Sequence, residues 1–327
     1  MKTPSTTTYF YAAARLAIVT TLVGLGGCAS QSPSLATAPL KAEQIAQIVA
    51  APDRTPADRN NDLRRKPEPM LAFIGALPGM VALDLSTGGG YTAELLARAI
   101  GPTGMVFGQA APRNPAARPP AAPEGNANPG AAPQATAATA PGTSPATSSA
   151  PAGNTVTLSP VPMLVTVATV PTGPRPPGVA LAEREQRLRL AMAQVAPLVA
   201  VVQPFENPVP ASLADVRIDL VTLMFNYHDL GHMGVDRAAM NRAVFKALKP
   251  GGIYVIADHA GRPGTGISEA GTLHRIDEAF LKSEVEAAGF KWVAAGDFLR
   301  NPNDPRDRNT PNPPQPKDEF VFKFVKP

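Results

Sequence analysis

Val81-Ala-Leu-Asp-Leu-Ser-Thr-Gly-Gly-Gly-Tyr-Thr-Ala-Glu-Leu-Leu-Ala-Arg-Ala-Ile-Gly101 reads as a buried strand, a glycine turn and an amphipathic helix in succession. An apolar run ending in Asp84 suits the central strand of a parallel sheet, whose two faces are both covered. Gly88, Gly89 and Gly90 let the backbone approach a ligand with no Cβ in the way. The helix that follows points its N-terminus at that ligand. Leu95, Leu96, Ala99 and Ile100 form its apolar stripe, and Gly101-Pro102 ends it.

The acidic residue lies within the strand end and the glycines follow at intervals of two, as Asp84-x-Ser86-x-Gly88-x-Gly90. That spacing differs from the dinucleotide fingerprint. A second strand–helix–strand unit runs from Ile218 to Asp229 and from Val235 to Val255. Asp236 is placed to cap a helix in which Met240, Val244, Ala247 and Leu248 share one face. Leu248-Lys-Pro-Gly-Gly252 ends that helix, and Ile253–Asp258 reads as the next strand.

The first run resembles motif I of the class I S-adenosylmethionine-dependent methyltransferases, with Ser86 in place of the first glycine of Asp-x-Gly-x-Gly-x-Gly. The Leu-Lys-Pro-Gly-Gly turn looks like the same element in many members, notably the ubiquinone and menaquinone C-methyltransferases. Ile276 to Gly289 reads as a helix and Phe290–Val293 as a strand. Glu319–Val325 alternates strongly and reads as a final strand, which commonly returns antiparallel in that fold. The resemblance covers residues 40–110 and 180–327 and extends to bacterial predicted methyltransferases with Asn-Tyr-His-Asp and Asp-His runs. It implies an α/β, Rossmann-like doubly wound sheet of about seven strands, mostly parallel, with helices on both faces. It also implies S-adenosyl-L-methionine as cofactor and methyl transfer to a small-molecule acceptor.

In such a sheet a ligand sits beyond the carboxyl ends of the strands. By the resemblance, Asp84, Ser86, Thr87, Gly88 and Gly90 hold the amino-acid and ribose end of the cofactor, with Tyr91 close by. Most family members carry an acidic residue at the end of strand two. Here Gln109 stands in that region and offers the ribose a weaker hydrogen bond. The acidic residue often found after strand three is displaced to Glu206 in Pro204-Phe205-Glu206. All four histidines follow strands four and five: His228, His232, His259 and His274. His228 is the first candidate general base, since an imidazole near its ordinary pKa of about 6.5 suits proton removal at neutrality. Asp229 is placed to orient it, Asn226 and Tyr227 to hold the acceptor, and Asp258 with His259 forms a second pair beside His274. Asp277 reads as a helix cap. A metal site among His228, His259 and His274 is not expected, because no compact ligand spacing such as His-x-x-x-His is present.

The ends and the middle of the chain have different compositions. Lys2 and Arg15 flank an apolar run from Leu16 that leads to Leu25-Gly-Gly-Cys28, which looks like a lipoprotein signal peptide with its lipobox. Cleavage after residue 27 exposes Cys28, the only cysteine of the 327 residues, for lipidation. Ala29 after it points to the periplasmic face of the outer membrane. Residues 28–39 read as a flexible tether and 40–327 as one methyltransferase-like domain. That domain is interrupted at 111–160 by an Ala/Pro/Gly/Ser/Thr-rich insertion expected to be disordered. Ahead of the first strand, Thr55-Pro-Ala-Asp58 starts a charged helix expected to lie over the cofactor pocket, with a solvated face as the simpler alternative. A net charge of +4 with scattered basic residues implies no nucleic-acid partner. The methyl donor is made in the cytoplasm, so export leaves a second reading: a lipid-anchored ligand-binding protein with a degenerate methyltransferase fold.

Overall fold

The strand read from the glycine-turn region is central. Val81–Leu85 (β1) is buried almost throughout and pairs in parallel with Met105–Ala110 (β2) on one side and Ile218–Met224 (β4) on the other. Its alternation divides the core. Ala82 packs against one face of the sheet, while Leu83 and Leu85 face the other. The computed structural model describes residues 38–113, 176–211, 218–311 and 313–327, all within a compact unit spanning Thr37–Pro327. Residues 1–37 and nearly all of the 111–160 insertion lie outside the described residues, and with them the signal segment, Cys28 and most of the tether.

Seven strands form one sheet in the order β3-β2-β1-β4-β5-β7-β6. Leu198–Val202 (β3) and Leu248–His259 (β5) extend the parallel part, while Glu319–Val325 (β7) runs antiparallel between β5 and Lys291–Gly296 (β6). This is the doubly wound arrangement expected, with the antiparallel final strand inserted next to the edge.

Helices cover both faces. On one side lie Ala42–Ala50 (α1), Pro67–Ile74 (α3), Tyr91–Ile100 (α4) and Val179–Leu190 (α5), contributing Ile45, Met70, Ile74, Leu96, Ile100 and Leu181 to the core. On the other lie Tyr227–His232 (α6), Arg237–Ala247 (α7) and Glu278–Ala287 (α8), contributing Leu230, Met240, Val244, Leu281 and Val285. Pro56–Arg65 (α2) lies across the carboxyl edge, as its side-chain partners below establish.

The capping residues behave as their chemistry demands. Thr55 accepts from the Asp58 N–H ahead of Pro56, Asp236 accepts from Ala239, and Asp277 accepts from Ala279. Two helices were not legible. Pro67-Glu-Pro69 opens α3, because proline is tolerated in a first helical turn. The polar Asn-Tyr-His-Asp run, expected to end strand four, instead opens the six-residue helix α6. Among the described residues no helix is long and apolar enough to cross a membrane.

Candidate active site

The glycine turn is built before any ligand is considered. Asp84, at the end of β1, is buried, and its two carboxylate oxygens are both used. Oδ2 accepts from Thr87 Oγ1 at 2.9 Å, and Oδ1 accepts from Thr222 Oγ1 at 2.6 Å, from the register partner on β4. Burial pushes the Asp84 carboxyl up to about 6, against the two hydroxyl donors and the nearby Arg65 guanidinium. Ser86, Gly88 and Gly90 all take left-handed backbone conformations, with φ of 53°, 52° and 77°. For Ser86 this is strain of the kind stored at functional sites.

Close approach explains Gly90 and Gly108. A Cβ on Gly90 would meet Leu181 Cδ1 at 2.6 Å, and one on Gly108 would meet Leu181 Cδ2 at 2.4 Å. Leu181 of α5 thus sits against the glycine turn and β2 together. Arg184, one turn along, donates from Nε to the Gly89 carbonyl at 2.7 Å and pairs with Asp58 and Glu94. Glu94 is almost wholly buried and also accepts from Arg98 and Arg187. Arginine–carboxylate pairs therefore join α2, α4 and α5 around the turn.

Helix α2 directs its charges at the site. Asp58, Asp62 and Arg65 recur at the spacing of one helical face, in the charged helix expected to lie over the pocket or to present a solvated face. Tyr91 Oη donates to Asp62 Oδ1 at 2.6 Å, and Asp62 is held by a bidentate pair with Arg54. Arg65 lies over the rings of Tyr91 and Phe225, at 5.3 and 4.7 Å. Burial and the neighbouring Arg64 charge push its guanidinium down to about 10, so it stays charged at neutrality. Arg64 pairs instead with Glu319 at 2.6 Å.

Gln109 takes a different role from the one expected. It is fully buried, its side-chain carbonyl accepts from the Ser86 N–H at 3.0 Å, and its amide donates to the Gln203 carbonyl at 2.6 Å. Both functions hold the glycine turn, so the expected ribose contact is corrected to a positioning role. A side-chain amide matches a backbone N–H and a backbone carbonyl at once, which a carboxylate cannot do.

The histidine cluster lies at the ends of β4 and β5. His228 is buried, with Nδ1 2.6 Å from Asp258 Oδ1 and Nε2 3.1 Å from Asp229 Oδ1. Asp258 also accepts from the backbone N–H groups of His228 and His259, both at 2.8 Å. Burial disfavours the charged ring, but Asp258 and Asp229 outweigh it and hold His228 up to about 10. An imidazolium with both nitrogens engaged is no general base at neutrality, which corrects the role expected from its ordinary pKa.

Asp229 is half-buried. It accepts from Asn226 Nδ2 at 3.0 Å, lies 2.9 Å from His274 Nδ1, and is pulled down to about 2 despite burial, chiefly by His228. His259 behaves oppositely. Burial pushes its ring well below the ordinary range, and Nδ1 lies 3.0 Å from Glu319 Oε1 at an angle that makes no hydrogen bond. Tyr227 leaves the cluster altogether. Its hydroxyl faces away from the strand ends, between Asn241 and Glu284, and so is not placed to hold an acceptor beside His228. Phe225 and His274 also take left-handed conformations, with φ of 60° and 51°.

One bond joins the two halves. Ser86 Oγ donates to Asn226 Oδ1 at 2.7 Å, which places the glycine turn directly beside the Asn226–Asp229–His274 group. Sequence reading missed Arg64, Arg65, Arg184, Glu94, Thr222 and Glu319, all of which act through partners distant in the chain.

No family model matches the chain, and no curated protein matches it. Among solved structures it is similar to an S-adenosylmethionine-dependent methyltransferase from Aquifex aeolicus, at 14% identity over 88% of this chain and 100% of that one, with a TM-score of 0.44. An arsenic(III) S-adenosylmethionine methyltransferase from Chlamydomonas reinhardtii is similar at 15% identity, over 84% and 74% of the two chains, with a TM-score of 0.43. Aeropyrum pernix fibrillarin, solved with natively bound S-adenosyl-L-methionine, is similar at 13% identity, over 76% and 67%, with a TM-score of 0.35.

The residues present meet the groups of S-adenosyl-L-methionine, the cofactor implied by the sequence resemblance, unevenly. Among the described residues Arg65 Nε is buried without a hydrogen-bond partner, in a guanidinium that lies over the rings of Tyr91 and Phe225. Such a group matches the α-carboxylate of an amino acid. The end of β2 offers no carboxylate to a ribose, and Gln109 is engaged elsewhere. The residues therefore fit the amino-acid end of the cofactor.

Proposed function

We propose that this protein transfers a methyl group from S-adenosyl-L-methionine to a small-molecule acceptor. The Ser86–Asn226 hydrogen bond carries the reading, because it sets a glycine turn suited to the donor beside polar groups suited to an acceptor. Bound at the turn, the cofactor supplies a methyl group on a sulfonium, open to in-line displacement, so the protein's main task is positioning. Arg65 holds the α-carboxylate, while Asp84, Thr87, Thr222 and Gln109 keep the turn in shape. Asn226, Asp229 and His274 face the acceptor, and His228, fixed by Asp258, orients Asp229.

From the sequence of residues 1–28 we also infer an exported lipoprotein on the periplasmic face of the outer membrane, anchored through Cys28 after loss of residues 1–27. Calorimetric titration of S-adenosylmethionine and S-adenosylhomocysteine into the purified protein tests the function. Micromolar binding is expected, and Gly88→Val should abolish it, since a β-branched residue is strained at a φ of 52°. No binding to the folded protein would overturn methyl transfer and leave the lipid-anchored ligand-binding reading.

A further inference from the structure

His228, Asp229 and His274 bring one ligand atom each within 4.8 Å of one another. We propose that these three side chains form a binding site for one first-row divalent transition-metal ion, with Asp258 fixing His228 from behind. The proposal goes beyond methyl transfer and does not depend on it.

Spacing is the first argument. His228 Nε2 and His274 Nδ1 lie 3.1 and 2.9 Å from the same oxygen, Asp229 Oδ1. Around an ion with bonds of about 2.0–2.2 Å, adjacent ligand atoms lie about 3.0–3.5 Å apart in octahedral or tetrahedral geometry. Each imidazole nitrogen already stands near that separation from the carboxylate oxygen, and all three atoms lie within 4.8 Å of one another, so an ion can replace the hydrogen bonds as the two rings adjust around it. Chemistry is the second argument. Two imidazoles and a carboxylate on one side of an ion leave its other positions open, a set that suits zinc, iron, cobalt or nickel rather than magnesium or calcium.

Orientation is the third argument. A ligating histidine commonly donates its other ring N–H to a carboxylate, which fixes the tautomer and the ring plane. The His228 Nδ1 contact with the fully buried Asp258, at 2.6 Å, supplies that support and turns Nε2 toward Asp229. Asp258 is itself fixed by two backbone N–H donors. Accessibility is the fourth. His228 is buried, but the side chains of Asp229 and His274 are each 29% exposed, which leaves an entry side. The sequence argument against a metal rested on spacing along the chain. These ligands come from α6 and from the segment before α8, so no local spacing announces them.

The test is calorimetric titration of Zn²⁺ into the full chain after dialysis against chelator, with Co²⁺ as a spectroscopic probe. Wild type should bind one ion per chain, with Co²⁺ giving visible ligand-field bands. His274→Ala and Asp229→Asn, both at half-buried positions, should each weaken binding at least tenfold and remove the bands, and Asp258→Asn should weaken it about tenfold. His232→Ala should leave binding unchanged, because His232 is outside the group. Absence of saturable binding to the wild-type protein would overturn the proposal. So would affinity retained in both His274→Ala and Asp229→Asn, or lost in His232→Ala. No methyl donor is present in the titration, so its outcome is separate from that of the methyl-transfer reading.

Discussion

The two sides of the strand-end edge hold buried ion pairs of different kinds. Around the glycine turn, Arg54, Arg98, Arg184 and Arg187 face Asp53, Asp58, Asp62 and Glu94. At the ends of β4 and β5, His228 and His274 face Asp229 and Asp258. A guanidinium keeps its proton at every working pH and offers a rigid fork, so the first set acts as a permanent clamp. An imidazole can exchange its proton for an ion or a ligand, so the second set can change state. The difference teaches that this fold separates holding from responding, and that each task has its own cation.

Four substitutions break or sharpen that contrast. The largest effect is expected at the clamp. Glu94 accepts from three arginines while almost wholly buried, so Glu94→Ala leaves their charges short of a partner and should destabilise by about 4 kcal/mol. Denaturant unfolding measures this, and a loss below about 1 kcal/mol would show that the clamp carries little.

Asp84 sits between the two sides and should respond with the opposite sign. Its folded carboxyl, at about 6, keeps its proton more tightly than an aspartate in the unfolded chain, whose ordinary value is 3.8. As pH rises from about 4 to 6 the unfolded state releases the proton first, so stability falls across that window and then levels, by about 3 kcal/mol in all. Asp84→Asn removes that slope and should gain on wild type as pH rises to 7. Unfolding curves of the two proteins that run parallel from pH 4 to 7 would contradict it.

The smallest pair compares neighbouring glycines. Gly90→Ala meets Leu181 and Arg184 at a φ of 77° and should cost about 2 kcal/mol. Gly89→Ala meets nothing within 4 Å and should stay within about 0.5 kcal/mol. Equal thermal shifts for the two would mean that α5 does not clamp the turn.

Much of this architecture is legible because it is local. The β1–turn–α4 unit, the Asp236 and Asp277 caps and β7 follow from period, capping hydrogen bonds and glycine conformations, all set within a few residues. The site was legible only in outline, since the resemblance and the strand ends marked Asp84, the glycines and the histidines. Their states were not. Whether His228 is a base or a clamped cation depends on Asp258, thirty residues away. Whether Gln109 touches a ribose or a backbone depends on Ser86 and Gln203.

The sequence by itself determined the two strand–helix units around β1 and β4, the doubly wound class and the edge at which the polar residues collect. Only the tertiary structure decided the pairings: Arg184 with Asp58 across 126 positions, Arg64 with Glu319 across 255, and the meeting of His228, Asp229 and His274. The physical reason is range. Backbone hydrogen bonds and side-chain periodicity repeat over a few residues and leave a pattern in the chain, whereas a charge or a ring nitrogen takes the partner that folding brings within about 3 Å.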